Sequence, residues 1–293
     1  MDKLNIAIKN KTKLIQELEK LYDIDYYKEL GFFSGLFQKE IIPDIYFHQG
    51  VLNEYSYDMI QKSKLTVVNA KQIKAQIIEK FPDLPLDKVV VLYPYYNASL
   101  EYSKEIKTKF KEHFELSKND RVIFFQAKNL NKSGIEHFFE ILESLRNQNF
   151  VVIIESTSKE IQRLKPKVIK KELPFKVIFF EDYDEIDELF IFADIFILPT
   201  ELKLFAQSVL KAMYFKTAVF ITQSNYSAEF IDTFSRIQDS NDRSVPFKVD
   251  ALLVNKDELK KIQKENYETS LNYSLESRVE KIDSIIKKLI ESN

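Results

Sequence analysis

The amino-acid sequence predicts an α/β fold built from two parallel β-sheets. Short runs of β-branched and aromatic residues alternate along the chain with longer segments in which apolar residues recur every third or fourth position. The runs are continuously apolar, as in VVVLY, FVVII and DIFILP, which is typical of strands covered by helices on both faces. A polar, charge-dense segment near 100–119 separates two series of strands and therefore predicts a domain boundary.

Each element is assigned from its local pattern. Strands are placed at short runs that are rich in aliphatic or aromatic residues, and helices where the apolar residues fall on one face. The predicted strands are 4–8, 43–48, 65–69, 88–93, 121–126, 150–154, 176–180, 194–198 and 218–222. The predicted helices are 11–21, 55–62, 71–80, 101–116, 134–147, 158–165, 184–193, 204–215 and 226–233.

The tail from Lys256 to Glu291 is predicted to be helical. Towards its end a single apolar stripe is formed by Leu275, Val279, Ile282, Ile286 and Leu289. A long terminal helix with a single apolar stripe needs a groove, so we expect a helix at about 268–291 that returns from the second domain to pack on the first. The predicted domains are 1–100 with about 268–293, and 119–255.

Composition excludes several classes of function. The 43 Lys and Arg residues nearly balance the 45 Asp and Glu residues, so no overall charge attracts the protein to nucleic acid. Cysteine is absent and the three histidines lack zinc-site spacing, so we expect no metal and no cofactor. The first residues, MDKLNIAIKNKTK, show no apolar core of signal-peptide length, and no apolar run approaches about 18–20 residues. We expect a cytoplasmic protein, with a peripheral place at the inner face of the membrane left open.

Four segments between residues 121 and 233 occur in a distinctive order: VIFFQAKNLNKSGIEHFFEIL, FKVIFFEDYDEIDELFIFADIFILPT, LFAQSVLKAMYFKTAVFIT and SNYSAEFI. In order and spacing they resemble the C-terminal, donor-binding domain of GT-B-fold retaining glycosyltransferases, the large "glycosyl transferases group 1" family that uses nucleotide-diphosphate sugars. Residues 59–96 also resemble the last strand, helix and strand of that family's N-terminal domain. The resemblance implies two Rossmann-like domains facing across a cleft, and a metal-independent hexosyltransferase.

The resemblance also implies a site for the donor diphosphate. In the family, an arginine after the first strand of this domain and the lysine of a Lys-Gly pair hold the diphosphate. Those positions align with Lys128 and Lys132. Lysine keeps the positive charge but lacks the bidentate fork of arginine. The alternative reading is that this loop is an ordinary solvated turn.

The family's two glutamates, eight positions apart, align with Lys203 and Lys211. An ammonium group has three donors and no acceptor, so recognition of the ribose hydroxyls by this pair is lost. Glu201, two residues upstream of Lys203, is a candidate substitute, and Glu229 aligns with a glutamate of the following helix. Lys211 is expected opposite the apolar face of its helix, exposed or facing the cleft. Either the lysines bind an unusual donor or anionic partner, or they are surface residues of a disused site.

The N-terminal half departs further from the family pattern. It is short, and NIAIKNKTKLIQ has no glycine where the family has a glycine-rich loop against the diphosphate. The segment PDIYFHQG resembles a family strand that ends in a histidine, which nominates His48 as catalytic. The alternative is that His48 is a hydrogen-bonded structural residue.

Two main functions follow, beside a third option, a receptor for an anionic sugar or lipid head group that uses the lysine pair. One is a sugar transferase of bacterial cell-surface polysaccharide or protein glycosylation, with a nucleotide-diphosphate sugar donor and an unidentified glycan, lipid or protein acceptor. The other is a catalytically weak or inactive binding or scaffold subunit that partners an active glycosyltransferase. The lost glutamates and the missing glycine loop favour the second.

Overall fold

The computed structural model describes residues 2–27 and 42–291, and the predicted α/β fold with two parallel sheets is confirmed. The strands are β1 (Lys3–Ile8), β2 (Asp23–Tyr26), β3 (Ile45–Phe47), β4 (Leu65–Val68), β5 (Val89–Val91), β6 (Arg121–Gln126), β7 (Phe150–Ser156), β8 (Lys176–Glu181), β9 (Ile195–Leu198), β10 (Ala218–Thr222) and β11 (Arg236–Ile237). The α-helices are α1 (Lys13–Leu18), α2 (Glu54–Lys62), α3 (Lys71–Lys80), α4 (Lys104–His113), α5 (Ile135–Glu143), α6 (Ser158–Lys170), α7 (Ile186–Phe192), α8 (Gln207–Tyr214), α9 (Val245–Val254), α10 (Lys256–Leu271) and α11 (Leu275–Glu291).

The chain divides into two compact units. Unit 1 comprises Met1–Tyr95 and Tyr273–Asn293, and unit 2 comprises Tyr96–Asn272. Unit 1 therefore contains α11, whereas α4, α9 and α10 all lie in unit 2. Within the described residues, no helix has the length and apolar character required to cross a membrane.

Several helices begin at a residue whose side chain caps the first turn. At the start of α2, Ser56 N–H donates to Asn53 Oδ1 at 2.9 Å and Asn53 N–H donates to Ser56 Oγ at 2.6 Å. Asn255 Oδ1 accepts from the N–H groups of Asp257 and Glu258, so α10 begins directly after α9 ends. These caps mark helix boundaries that the pattern of apolar residues alone does not show.

Unit 1 is built on a five-stranded parallel sheet with the order β2-β1-β3-β4-β5. The C-terminal helix α11 completes its core: Ile282 and Ile286 are fully buried in one cluster with Leu4, Ile6 and Leu18. The predicted return of this helix to the first domain is confirmed. It begins at Leu275 and not near residue 268, because the preceding residues finish α10 in unit 2.

We expect Tyr22→Phe to lower the free energy of unfolding by about 0.5–1.5 kcal/mol, the net value of one hydrogen bond. Tyr22 Oη donates to Asp283 Oδ1 at 2.7 Å, which ties the chain after α1 to α11. Lys287 and Tyr22 both lower the pKa of Asp283, so this stabilisation is present at neutral pH and is lost as the pH falls through the lowered pKa. Urea unfolding at two pH values measures it.

The control for that prediction is Tyr26→Phe. Tyr26 Oη donates to Glu19 Oε1 at 2.6 Å. This site is exposed, so replacing the bond by hydrogen bonds to water changes the free energy of unfolding little. A larger loss for Tyr26→Phe than for Tyr22→Phe would contradict the role given to the contact with α11.

Unit 2 is built on a six-stranded parallel sheet with the order β11-β10-β9-β6-β7-β8. Its core is dominated by aromatic side chains that are fully buried, among them Phe124, Phe125, Phe138, Phe190, Phe196 and Phe220. The chain begins this sheet at β6, runs outward through β7 and β8, and then returns to the other side of β6 with β9. This reversal makes the carboxyl ends of β6 and β9 a topological switch point, which is where open α/β sheets bind ligands.

Candidate functional site

Three loops lie side by side at the carboxyl edge of the unit 2 sheet. They follow β6 (127–134), β9 (199–206) and β10 (223–225), and these three strands are neighbours in the sheet. Five of the six residues predicted to bind the donor lie on or directly after these loops: Lys128, Lys132, Glu201, Lys203 and Glu229.

The loop after β6 is held in place by hydrogen bonds to its backbone. Leu130 N–H donates to Glu160 Oε2 on α6 at 3.0 Å, and Lys132 N–H donates to Asn129 Oδ1 at 3.0 Å. Lys128 and Lys132 are both exposed residues of this loop. The loop therefore presents two exposed lysines on a backbone that these hydrogen bonds hold in place.

Gly134 joins this loop to α5 at a point of close contact. Its φ of 86° lies in the left-handed region, and a Cβ at this position would come 2.1 Å from the carbonyl oxygen of Pro199. Thr200 Oγ1 also donates to the Lys132 carbonyl at 3.3 Å, so the loop and the end of β9 are in contact. Gly134 provides no side-chain cap, which leaves N–H groups of the first turn of α5 available to an anion.

The loops after β9 and β10 are joined to each other. Ser224 Oγ donates to Glu201 Oε2 at 3.2 Å, and Asn225 Nδ2 donates to the Leu202 carbonyl at 3.1 Å. Glu201 and Lys203 are exposed, and Glu229 lies half-buried in a short 3₁₀ helix, Tyr226–Phe230. Two carboxylates and a further lysine thus lie on or directly after the loops that follow β9 and β10, at the same sheet edge as the β6 loop.

The prediction that Lys211 is exposed is wrong, whereas its donor-binding role stays a prediction. Its Nζ lies 2.5 Å from Asp187 Oδ1 on α7, and the two side chains are only 16% and 5% exposed. Asp187 also accepts from the backbone N–H groups of Ser99 and Leu100 at 2.5 and 3.2 Å. Because a buried carboxylate requires a counter-charge, the lysine is turned towards α7 and not towards the sheet edge.

A sequence profile described as "Glycosyl transferases group 1" matches residues 106–269, which is more than half of the chain and includes all of these loops. The chain belongs to the glycosyl transferases group 1 family. A search of curated proteins by sequence finds none that matches.

Solved structures share the fold of this glycosyltransferase. HepE of Anabaena in complex with UDP has a TM-score of 0.76 at 10% identity, covering 98% of this chain and 100% of that one. A glycosyltransferase from Rickettsia africae ESF-5 has a TM-score of 0.74 at 18% identity, covering 100% and 78%. WaaG, a glycosyltransferase involved in lipopolysaccharide biosynthesis, has a TM-score of 0.67 at 12% identity, covering 96% and 99%. At these identities the likeness shows the fold, a pair of Rossmann-like domains of the GT-B type.

The glycosyltransferase carries His48 at the end of β3 in unit 1, where both ring nitrogens have protein partners. Nε2 lies 3.1 Å from the Gly50 carbonyl and Nδ1 lies 3.1 Å from Tyr46 Oη. A carbonyl only accepts, so Nε2 carries the proton and Nδ1 accepts from the tyrosine hydroxyl. Burial lowers the pKa of His48, although the bond to Gly50 acts in the opposite direction, so the neutral ring is favoured.

These contacts favour the structural reading of His48, and its catalytic role stays a prediction. A cavity of about 610 Å³ adjoins the ring; its described lining includes Lys9, Tyr46, Gln49, Val51 and Tyr55. Polar and aromatic side chains of this kind suit a hydroxyl-rich ligand.

Sequence reasoning missed two residues: Gly134, which approaches the end of β9, and Asp187, which pairs with Lys211. Gly134 is one of only four glycines in the chain, and its place two residues after Lys132 was the available signal. Ser133 separates the two, so the Lys-Gly pair of the family is interrupted here. Asp187 was missed because it stands in DEIDEL, which looks like the polar face of a solvated helix, yet it is buried.

Proposed function

We propose that this protein transfers a hexosyl group from a nucleotide-diphosphate sugar, and that unit 2 binds the donor at the carboxyl edge of its sheet. The observation that carries this is the loop 127–134, which presents Lys128 and Lys132 beside the uncapped first turn of α5. Two ammonium groups and a helix N-terminus form a suitable environment for a diphosphate. The Anabaena neighbour HepE, solved with UDP and with UDP-glucose, supports the choice of ligand class.

The proposed mechanism relies on placed positive charge. As the bond between the sugar and the diphosphate breaks, negative charge grows on the leaving diphosphate, and Lys128 and Lys132 stabilise it without the reorganisation that water would need. Glu201 or Glu229 accepts from sugar hydroxyls and orients the ring. We further propose retention of configuration and independence from metal, as the family resemblance implies.

We place the acceptor among cell-surface polysaccharides or glycosylated proteins, with the enzyme at the inner face of the membrane. WaaG, a fold neighbour whose description names lipopolysaccharide biosynthesis, supports this placement. Our candidate location for the acceptor is the cavity beside His48 in unit 1. We assign no individual residue there to contact the acceptor.

An inactive subunit is the second candidate function, and two observations favour it. Lys211 is held by Asp187 and provides no acceptor, and both nitrogens of His48 are occupied. The two functions separate in one assay: an active enzyme hydrolyses or transfers sugar from a nucleotide-diphosphate sugar, whereas a scaffold binds without turnover.

The test of the donor site is Lys132→Ala. We expect it to weaken binding of a nucleoside diphosphate by about 1.5–3 kcal/mol, the range for a hydrogen bond to a charged group. Isothermal titration with uridine, guanosine and adenosine diphosphates measures the change.

Lys118→Ala is the matched control, because Lys118 is an exposed lysine in the turn before β6, at the opposite end of the same strand. We expect it to bind like the wild type. Failure of the wild type to bind any nucleoside diphosphate would overturn the proposed function, and equal affinity in Lys132→Ala would remove Lys132 from the site.

A further inference from the structure

Glu155 is a buried carboxylate at the same sheet edge as the lysine loop. It lies near the carboxyl end of β7, pairs in register with Gln126 of β6, and is 8% exposed. All seven residues of β7 are buried, and the five before Glu155 are apolar. A buried ionisable group lowers the stability of the fold unless hydrogen bonds or an opposite charge compensate it. The presence of Glu155 therefore indicates a function at the carboxyl edge of the sheet.

The carboxyl group of Glu155 is subject to opposing electrostatic influences. A carboxylate has about four lone-pair sites, which is enough to accept from both hydroxyls of a ribose. Burial and the charge of Asp182 raise the pKa of Glu155, while Gln126, Tyr183 and Lys128 act to lower it.

The distance along a nucleotide matches this placement. Lys128, one of the two diphosphate lysines, follows Ala127, whose backbone N–H donates to the Glu155 carbonyl at 3.3 Å. In a nucleoside diphosphate the ribose is joined directly to the first phosphate, so a group that binds the ribose must lie beside the groups that bind the diphosphate. Glu155 lies on the strand next to β6, in register with Gln126, which is two residues before Lys128.

General folding rules point to the same position. In a strand–helix–strand unit that binds a dinucleotide, the phosphates lie at the helix N-terminus and an acidic residue at the end of the second strand accepts from the ribose hydroxyl. In unit 2 that unit is β6, α5 and β7, and Glu155 is the acidic residue at the end of its second strand. Lys211 cannot accept and is committed to Asp187.

We propose that Glu155 accepts hydrogen bonds from the ribose hydroxyls of the donor nucleotide, in place of the carboxylate that is missing at Lys211. This inference rests on the proposed function. It assigns Glu155 a binding role that determines whether the enzyme accepts ribonucleotides in preference to deoxyribonucleotides.

The experiment compares uridine, guanosine and adenosine diphosphates with their 2′-deoxy counterparts by isothermal titration. We expect the wild type to bind at least one ribonucleotide about 10- to 100-fold more tightly than its deoxy form, the factor of a hydrogen bond to a charged group. In Glu155→Gln this preference should fall to within about 3-fold, because the amide lacks the charge and one acceptor. A purely structural role would change both affinities and leave their ratio.

Glu181→Gln is the matched control. Glu181 ends the neighbouring strand β8, but its Oε1 already pairs with Lys165 at 2.5 Å, so we expect the wild-type ratio. Glu155→Asp, which keeps the charge on a shorter side chain, should retain part of the preference and decides the matter if Glu155→Gln does not fold.

The outcomes separate the two proposals. Tight wild-type binding with no preference for the ribonucleotide overturns the role of Glu155 and leaves the proposed function standing. Retention of the full preference in both Glu155 variants overturns it as well. Absence of binding of any nucleoside diphosphate to the wild type overturns the proposed function and this inference together.

Discussion

Gly134→Ala is expected to destabilise unit 2 by about 2–5 kcal/mol and to abolish nucleoside diphosphate binding. Two costs combine. The alanine must adopt a φ of 86°, which L-residues avoid, and its Cβ would lie 2.1 Å from the Pro199 carbonyl oxygen. Since the two nearest atoms, the carbonyl oxygen and carbon of Pro199, belong to the backbone, relief requires α5 to move away from the end of β9, and the lysine loop must move with it.

Gly50→Ala separates these two costs. Gly50 has a φ of 96°, also in the left-handed region, but among the described residues other than its chain neighbours no atom lies within 4 Å of where its Cβ would be. It should therefore lose only the conformational term, about 1–2 kcal/mol. Urea unfolding of both variants measures the difference. Equal losses would show that the approach of Gly134 to Pro199 is not close in solution.

The strands that form the centre of each sheet could be predicted because their residues are buried on both faces. VIFF in β6 and IFIL in β9 have no polar residue, so the sequence signal is continuous. The edge strand β2 has the sequence DIDY and was missed: it pairs with β1 through its backbone while its side chains remain largely exposed. Because this strand pairs through its backbone alone, its side-chain sequence has no pattern that predicts it.

The donor-side site was predicted only partially, because its geometry depends on residues distant in the chain. Lys128 and Lys132 follow directly from their place after β6. The contact of Gly134 with Pro199 joins positions far apart in sequence and is visible only in the folded sheet. Glu155 stood inside the apolar run FVVIIES, where strand propensity drew attention away from the one carboxylate.

The helix pattern around Lys211 misled for a related reason. Val209, Leu210, Ala212 and Met213 are buried, which correctly indicates the apolar face of α8. Periodicity, however, predicts which side chains point away from that face but not which side chains they contact. Lys211 meets the buried carboxylate of Asp187 on α7, whose presence no pattern within α8 reveals.

Lys211→Glu is therefore expected to destabilise unit 2 by more than about 3–5 kcal/mol, the cost of removing one partner of a buried ion pair. It would place a second carboxylate where Nζ now lies 2.5 Å from Asp187 Oδ1, in a site where the aspartate is 5% exposed. Like charges at that distance in a poorly solvated site add repulsion to the lost attraction. Restored binding of the ribose hydroxyls by this variant is not expected.

Lys203→Glu is the matched control, since it makes the same change of charge on an exposed loop residue of the same motif. Its effect on the free energy of unfolding should stay within about 0.5 kcal/mol. Lys211→Met should be destabilising alone, because Asp187 keeps its charge and, within the described part of the chain, the N–H groups of Ser99 and Leu100 remain to compensate it. Adding Asp187→Asn removes that charge and should recover much of the loss.

Urea unfolding of the four variants, with nucleotide titration of each that folds, tests this assignment. A Lys211→Glu protein that keeps its stability and binds nucleotide more tightly would show that this side chain faces the donor and that the pair with Asp187 does not form. Loss of stability in Lys211→Glu, recovery in the neutral double variant and an unaffected Lys203→Glu would establish that one lysine of the motif holds α7 to α8. In that case the ribose acceptor is a residue other than Lys211, and we have proposed that it is Glu155.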